Sequence, residues 1–137
     1  MSGTQSDLVN YRLERAKDTL DDARILAEKG KWNSAINRLY YAAYYAITAL
    51  LLRSNFRATT HNGTKSLFSE HFIKTKVFPQ EVGKMYSQLF TWRQKGDYTD
   101  LFDFTEEAVT PYFEPVRELI DLVEHTLRQN PPDGDPV

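Results

Sequence analysis

The chain has no cysteine, two methionines, and only six glycines and six prolines in 137 residues. Without thiols there is no disulfide framework, no thiolate nucleophile and no Cys-based zinc site, and the redox compartment is left open. Long hydrophobic runs are missing too: the greasiest stretch, Ala46 to Leu52, is far too short to cross a bilayer. The residues Met1 to Asp7 contain no basic region followed by an apolar one, so the expectation is a cytoplasmic protein without membrane association. No sign of charge dominates. Seventeen Lys and Arg against nineteen Asp and Glu leave a net charge of -2, which argues against broad, charge-driven binding to DNA but allows a local basic pocket for a nucleotide or a short RNA. Nothing resembles a phosphate-binding glycine loop, a nucleophile elbow or a paired-carboxylate active site.

What the chain does contain is helical periodicity, with almost no strand signal. Its length fits one domain with a real core. The expected boundaries are a flexible N-terminus over 1–7, a helical bundle over 8–128, and a tail over 129–137 that is disordered by its Pro, Asp and Gly content. Leu13, Ala16, Leu20, Ala23 and Ala27 recur at steps of three and four in a first helix over 8–28, ended by Gly30. The short Lys29-Gly30-Lys31 link makes this helix an antiparallel hairpin with a second one, from Trp32 to about Arg53. A third helix is expected after Asn62, with Leu67, Phe68, His71 and Phe72 as its apolar side. A fourth starts at Pro79, carries Val82, Met85, Tyr86, Leu89 and Phe90, and ends around Arg93 to Gly96. Thr105 caps the last helical stretch, in which Pro111 and Pro115 require a kink or a fresh start.

The second helix is unusual. Ala35, Leu39, Ala42, Ala46 and Leu50 form one side at helical spacing, and Ser34, Arg38, Tyr41 and Tyr45 form another. The second side puts a guanidinium and phenols where a bundle ordinarily has aliphatics, which suggests a polar pocket or an interface.

Three groups of residues are candidates for chemistry, each with a plain structural explanation beside it. Arg93 precedes Asp97 and Tyr98 at the expected end of the fourth helix. Arg93 and Asp97 can form a closing ion pair, or the arginine can hold a phosphate while Tyr98 stacks on or hydrogen-bonds a base. His61 and Lys65 flank Asn62-Gly63-Thr64 at a helix start, where backbone N–H groups can bind an anion and where capping by Asn62 is the simpler account. Arg38 beside Tyr41 needs a partner if buried, either a carboxylate such as Asp97 or Asp22, or a phosphate. His71 and His125 read as packing or surface residues. No second His, Asp or Glu stands at metal spacing near either, so neither a metal nor a cofactor is expected.

The succession Gly30-Lys31-Trp32, Ser34 to Tyr44, Thr60-His61-Asn62-Gly63, Phe72-Ile73-Lys74-Thr75, Arg93 to Tyr98 and Glu106-Glu107-Ala108 resembles the HEPN superfamily, in particular its small stand-alone prokaryotic members. The resemblance covers about residues 8 to 127. It implies an all-α, antiparallel bundle of four to five helices that forms homodimers with a cleft between subunits. RNA-cutting members of that superfamily carry an arginine followed, after four to six residues, by a histidine. Arg93 matches the arginine, but Tyr98, Thr99 and Asp100 occupy the histidine positions, and a phenol cannot readily replace imidazole as a proton carrier at neutral pH. The resemblance therefore implies a nucleotide- or RNA-binding module whose cleft is lined by Arg38, Tyr41, His61, Lys65, Arg93 and Tyr98. Its partner would be a minimal nucleotidyltransferase, which in related systems adds AMP to a tyrosine; Tyr98 is the candidate acceptor. One alternative is a toxin ribonuclease that uses His61 with Arg93, and another is a purely structural helical partner.

Overall fold

The aliphatic side of the second helix is where the bundle closes. In the computed structural model, which describes residues 2–98 and 103–129 and the side chains of 4–94 and 103–129, Ala35, Leu39, Ala42, Ala46 and Leu50 are all buried. The elements are α1 (Ser2–Glu28), α2 (Trp32–Arg53), α3 (His61–Phe68) followed by a π-helical turn (Ser69–Ile73), α4 (Gln80–Tyr98), α5 (Glu106–Val109), a 3-10 turn (Thr110–Tyr112) and α6 (Phe113–Gln129). Helix α2 is the central element and packs on α1, α3, α4, α5 and α6. The fold is all-α, an antiparallel helical bundle with no strand among the described residues. None of its described helices is long and apolar enough to cross a membrane.

The turns follow from local chemistry. Gly30 takes φ +73°, so that its N–H reaches Ala27 O (2.9 Å) and Lys31 N–H reaches Leu26 O (2.9 Å). This pair of bonds satisfies the last carbonyls of α1 and reverses the chain. Asn55, at φ 65°, does the same for α2, with its own N–H on Leu52 O and Phe56 N–H on Leu51 O. In α4, Gly83 lets Ile73 approach closely; a Cβ there would stand 3.2 Å from two Ile73 side-chain carbons.

Three boundaries depart from the sequence reading, and the break at Pro111 follows it. Helix α1 begins at Ser2, inside the segment expected to be flexible, and Gln5 ties it down by donating to Leu52 O (2.8 Å) and Asn55 Oδ1 (3.0 Å). The cap of α3 is Thr60, which accepts from Gly63 N–H (2.9 Å), and not Asn62. Helix α4 continues to Tyr98, because a single glycine costs a helix only about 1 kcal/mol relative to alanine; Arg93 thus lies within the helix and not at its end. Pro111 is taken up by the 3-10 turn between α5 and α6, and Thr105 caps α5 as expected, accepting from Ala108 N–H (3.2 Å). The tail over 130–137 lies outside the described residues.

Candidate functional site

The second side of α2 meets the start of α3 and the later turns of α4. His61, the first residue of α3, places Nδ1 2.7 Å from the Tyr40 hydroxyl, and its ring packs 4.5 Å from that of Tyr44 and 5.8 Å from that of Tyr41. Arg93 comes from the opposite direction, on α4. Its guanidinium lies over the Tyr40 and Tyr41 rings, with Cζ 5.5 and 5.8 Å from their centroids, and Nε donates to the Tyr41 hydroxyl at 3.3 Å. The two residues that sequence spacing leaves 32 positions apart therefore share one pair of tyrosines.

The remaining candidates fall around this centre. Arg38 lies over Tyr41 (Cζ 5.1 Å from the ring) and donates from Nε and Nη2 to Asn37 Oδ1. Of the two carboxylates expected as partners, Asp22 makes no ion pair with Arg38, and the side chain of Asp97 lies outside the described ones; the acceptor Arg38 meets is the Asn37 amide oxygen. Lys65 is further off and reaches the cluster through Phe90, its ammonium 5.4 Å from that ring. It lines a groove of about 400 Å³ between α3 and α4, with Tyr86 and Gln88. Asp97 and Tyr98 are backbone residues of the last turn of α4, and their side chains lie outside the described ones. His71 stacks on Phe56 at 4.0 Å and His125 is exposed. No group of three or more His, Asp or Glu among the described residues could hold a metal ion.

Spacing alone did not single out Tyr40 and Tyr86, which organise the site from beneath. Both are fully buried, and Tyr86 donates to the Tyr40 hydroxyl at 3.4 Å. Burial pushes the Tyr40 phenol up to about 12, with the Tyr86 hydrogen bond and the Arg93 charge pulling the other way. Burial likewise pushes Tyr86 well above its usual value. Both stay neutral at physiological pH. With Tyr86 donating to it, the Tyr40 hydroxyl has its own proton to offer to His61 Nδ1 when the imidazole is protonated at Nε2; a ring protonated at Nδ1 donates to the Tyr40 oxygen instead. The available signal was a tyrosine on the aliphatic side of α2, since a buried phenol needs a hydrogen-bond partner.

A small antiparallel helical bundle carrying a histidine and an arginine on a shared tyrosine pair defines the class of the protein. The chain belongs to the HEPN family: the HEPN domain model matches residues 9–126. It is similar to a UPF0332 protein of Thermotoga maritima, 36% identical over 120 residues that cover 88% of this chain and 91% of that protein. A Gloeobacter violaceus protein, "UPF0332 protein glr0978", is 35% identical over 98 residues, 72% of this chain and 75% of that one. A Methanocaldococcus jannaschii protein bearing the name "Putative toxin MJ0605" is 28% identical over 117 residues, 85% of this chain and 87% of its own.

Proposed function

We propose that the cluster of Tyr40, Tyr41, His61 and Arg93 binds a nucleotide or an RNA end, and that the chain is the HEPN component of a toxin–antitoxin pair with a minimal nucleotidyltransferase partner. The observation that carries this reading is the Arg93 guanidinium laid over two tyrosine rings beside His61. A guanidinium held by two rings and by the Nε–H···Oη bond to Tyr41 has its position fixed, as bidentate phosphate recognition requires. Tyr44 and the imidazole offer π-faces for a base. The word toxin in the name of the Methanocaldococcus relative supports the toxin part of this reading; the nucleotidyltransferase partner comes from the family resemblance, and Tyr98 is the tyrosine proposed to accept AMP from it.

A second reading is metal-independent RNA cleavage by His61 with Arg93. The tyrosine pair they share favours it. The Tyr86–Tyr40–His61 chain weighs against it where Tyr40 gives its proton to Nδ1, because a ring protonated at Nε2 donates to a phosphate oxygen there and has no lone pair at that nitrogen to take a 2′-hydroxyl proton.

The test is to incubate the purified protein without metal with labelled structured and single-stranded RNAs, beside Arg93→Ala and His61→Ala variants, and to follow melting with AMP or a short RNA present. Binding predicts intact RNA throughout and a ligand-dependent rise in melting temperature that Arg93→Ala abolishes. Cleavage lost in both variants would install the ribonuclease reading in its place. Intact RNA with no shift would leave a structural helical partner.

A further inference from the structure

A second cluster of cation and rings lies on the α1–α2 hairpin, next to the site but outside it. Arg15 of α1 sets its guanidinium over Tyr45, Cζ 4.9 Å from the ring, and donates from Nη2 to the Tyr45 hydroxyl at 3.1 Å. Two other cations of α1 turn to carboxylates, Lys17 to Glu14 and Glu124 and Arg24 to Asp21; Arg15 turns to a phenol. Tyr11, one turn earlier on α1, is 59% exposed and, like the Asp18 carboxylate one turn later, close enough to act on the Arg15 charge. The cluster is continuous with the site, because the Tyr45 ring is 6.1 Å from that of Tyr41 and 5.9 Å from that of Tyr44.

The plain explanation is a surface cation–π clasp joining two helices, of a kind that contributes little at an exposed site. The hairpin does not depend on such a clasp, since Leu13, Ala16, Leu20 and Ala23 of α1 are already buried in the core with α2. The clasp also leaves a large aromatic ring, Tyr11, in solvent beside an arginine that has no carboxylate in ion-pair contact among the described residues. We propose that Arg15 and Tyr11 form a second nucleotide subsite, with Tyr45 as the residue that positions Arg15, so that a single strand lies across α1 and ends at His61 and Arg93. This rests on the nucleotide-binding reading above. Arg15 meets a backbone phosphate, and Tyr11 stacks on a base. The 6.1 Å step from Tyr41 to Tyr45 exceeds the rise of about 3.4 Å in a stacked strand. The path between the two subsites therefore does not follow a regular stack, which a single strand with splayed bases allows and a duplex does not.

The experiment compares AMP with a six-nucleotide oligoadenylate RNA on the full-length protein, by calorimetry or anisotropy over a salt series, for wild type, Arg15→Gln and Tyr11→Ala. The expected result is a hexamer bound at least tenfold more tightly than AMP. Arg15→Gln should remove most of that gain, reduce the salt slope by about 0.7 and leave AMP affinity unchanged. Tyr11→Ala should weaken the hexamer about tenfold. Equal affinity for AMP and hexamer, or an equal loss of both in Arg15→Gln, overturns the subsite and leaves the first reading standing. Failure of wild type to bind either ligand overturns both. Light scattering guards against a different occupant: if Arg15→Gln dissociates a dimer while keeping hexamer affinity, a second copy of this chain covers the patch and the subsite is overturned.

Discussion

The two sides of α2 belong to one continuous helix and meet different fates. Ala35, Leu39, Ala42, Ala46 and Leu50 are sealed by neighbouring helices, while Arg38, Tyr41 and Tyr45 stay half-exposed although they are large and ring-bearing or charged. On the first side, small and aliphatic residues let helices approach, and stability comes from apolar area removed from water. On the second, Tyr41 is held by Arg93 of α4 and Tyr45 by Arg15 of α1, each through a hydrogen bond to the phenol and a cation over the ring. Packing there is incomplete, and the groups left at the surface are the guanidinium and phenols to which phosphate and base binding is proposed. On the proposed reading, the helix separates the task of holding the fold from the task of meeting a ligand by a fraction of one turn.

The largest expected effect lies on the sealed side. Leu39→Ala removes a fully buried side chain at the centre of the bundle and should cost about 2–5 kcal/mol in urea denaturation, with nucleotide affinity unchanged in the molecules that remain folded. A comparable loss on binding would break the division between the two sides.

Tyr40 joins both sides and should show it. In the folded protein its phenol is pushed up to about 12, above the ordinary 10.0. The stability that comes from keeping this phenol neutral is therefore fully present below pH 10.0 and is lost as pH rises through about 12. Tyr86 adds in the same direction. Tyr40→Phe should flatten that alkaline limb and cost about 1–3 kcal/mol at neutral pH, because the Tyr86 hydroxyl loses its acceptor and His61 Nδ1 loses its partner. Nitrogen-15 NMR of His61 should show a shifted tautomer balance. An unchanged spectrum would remove Tyr40 from its positioning role.

Arg93→Ala should separate the sides most clearly. Ligand affinity is expected to fall tenfold or more, whereas unfolding free energy changes by about 1 kcal/mol, the scale of a cation–ring interaction near the surface. Arg93→Lys should not restore affinity, since an ammonium cannot reproduce the planar, forked contact.

The smallest effect is expected far from both, where Lys17 of α1 bonds Glu124 of α6 at 2.9 Å. The Lys17 hydrogen bond holds Glu124 below its usual value, so this contribution is present above about pH 4.5 and lost as pH falls through the lower folded value. Lys17 is raised by the same bond, so its share is present below about pH 10.5 and lost as pH rises beyond that. The pair is partly exposed, and Lys17→Met should change stability by less than about 1 kcal/mol at pH 7.

Much of the fold was legible because the bundle's cues are local. Gly30, Thr105 and the three-and-four periodicity of α1, α2 and α4 act within one or two turns of themselves. The misjudged boundaries were those decided at a distance or by competition. Gln5 extends α1 by bonding to the end of α2, Thr60 displaces Asn62 as the cap of α3, and α4 passes through Gly96 to Tyr98. In the site, Arg38, Tyr41, His61 and Arg93 were named from the sequence, and the structure brings them to one aromatic cluster. Among the described residues Lys65 joins it through Phe90. Tyr40 and Tyr86 escaped notice because a buried tyrosine at helical spacing looks like any other core aromatic until its hydroxyl is given a partner.

By itself, then, the sequence determined an all-helical bundle without thiol chemistry, and a central helix with one aliphatic and one cation-bearing aromatic side, because helical periodicity and side-chain chemistry are written residue by residue. Only the tertiary structure decided that His61 and Arg93 meet at the same two tyrosines and that a buried phenol stands 2.7 Å from the imidazole Nδ1. Those relations depend on how α3 and α4 pack across α2, and hydrogen-bond distances between helices are not encoded in the spacing along any one of them.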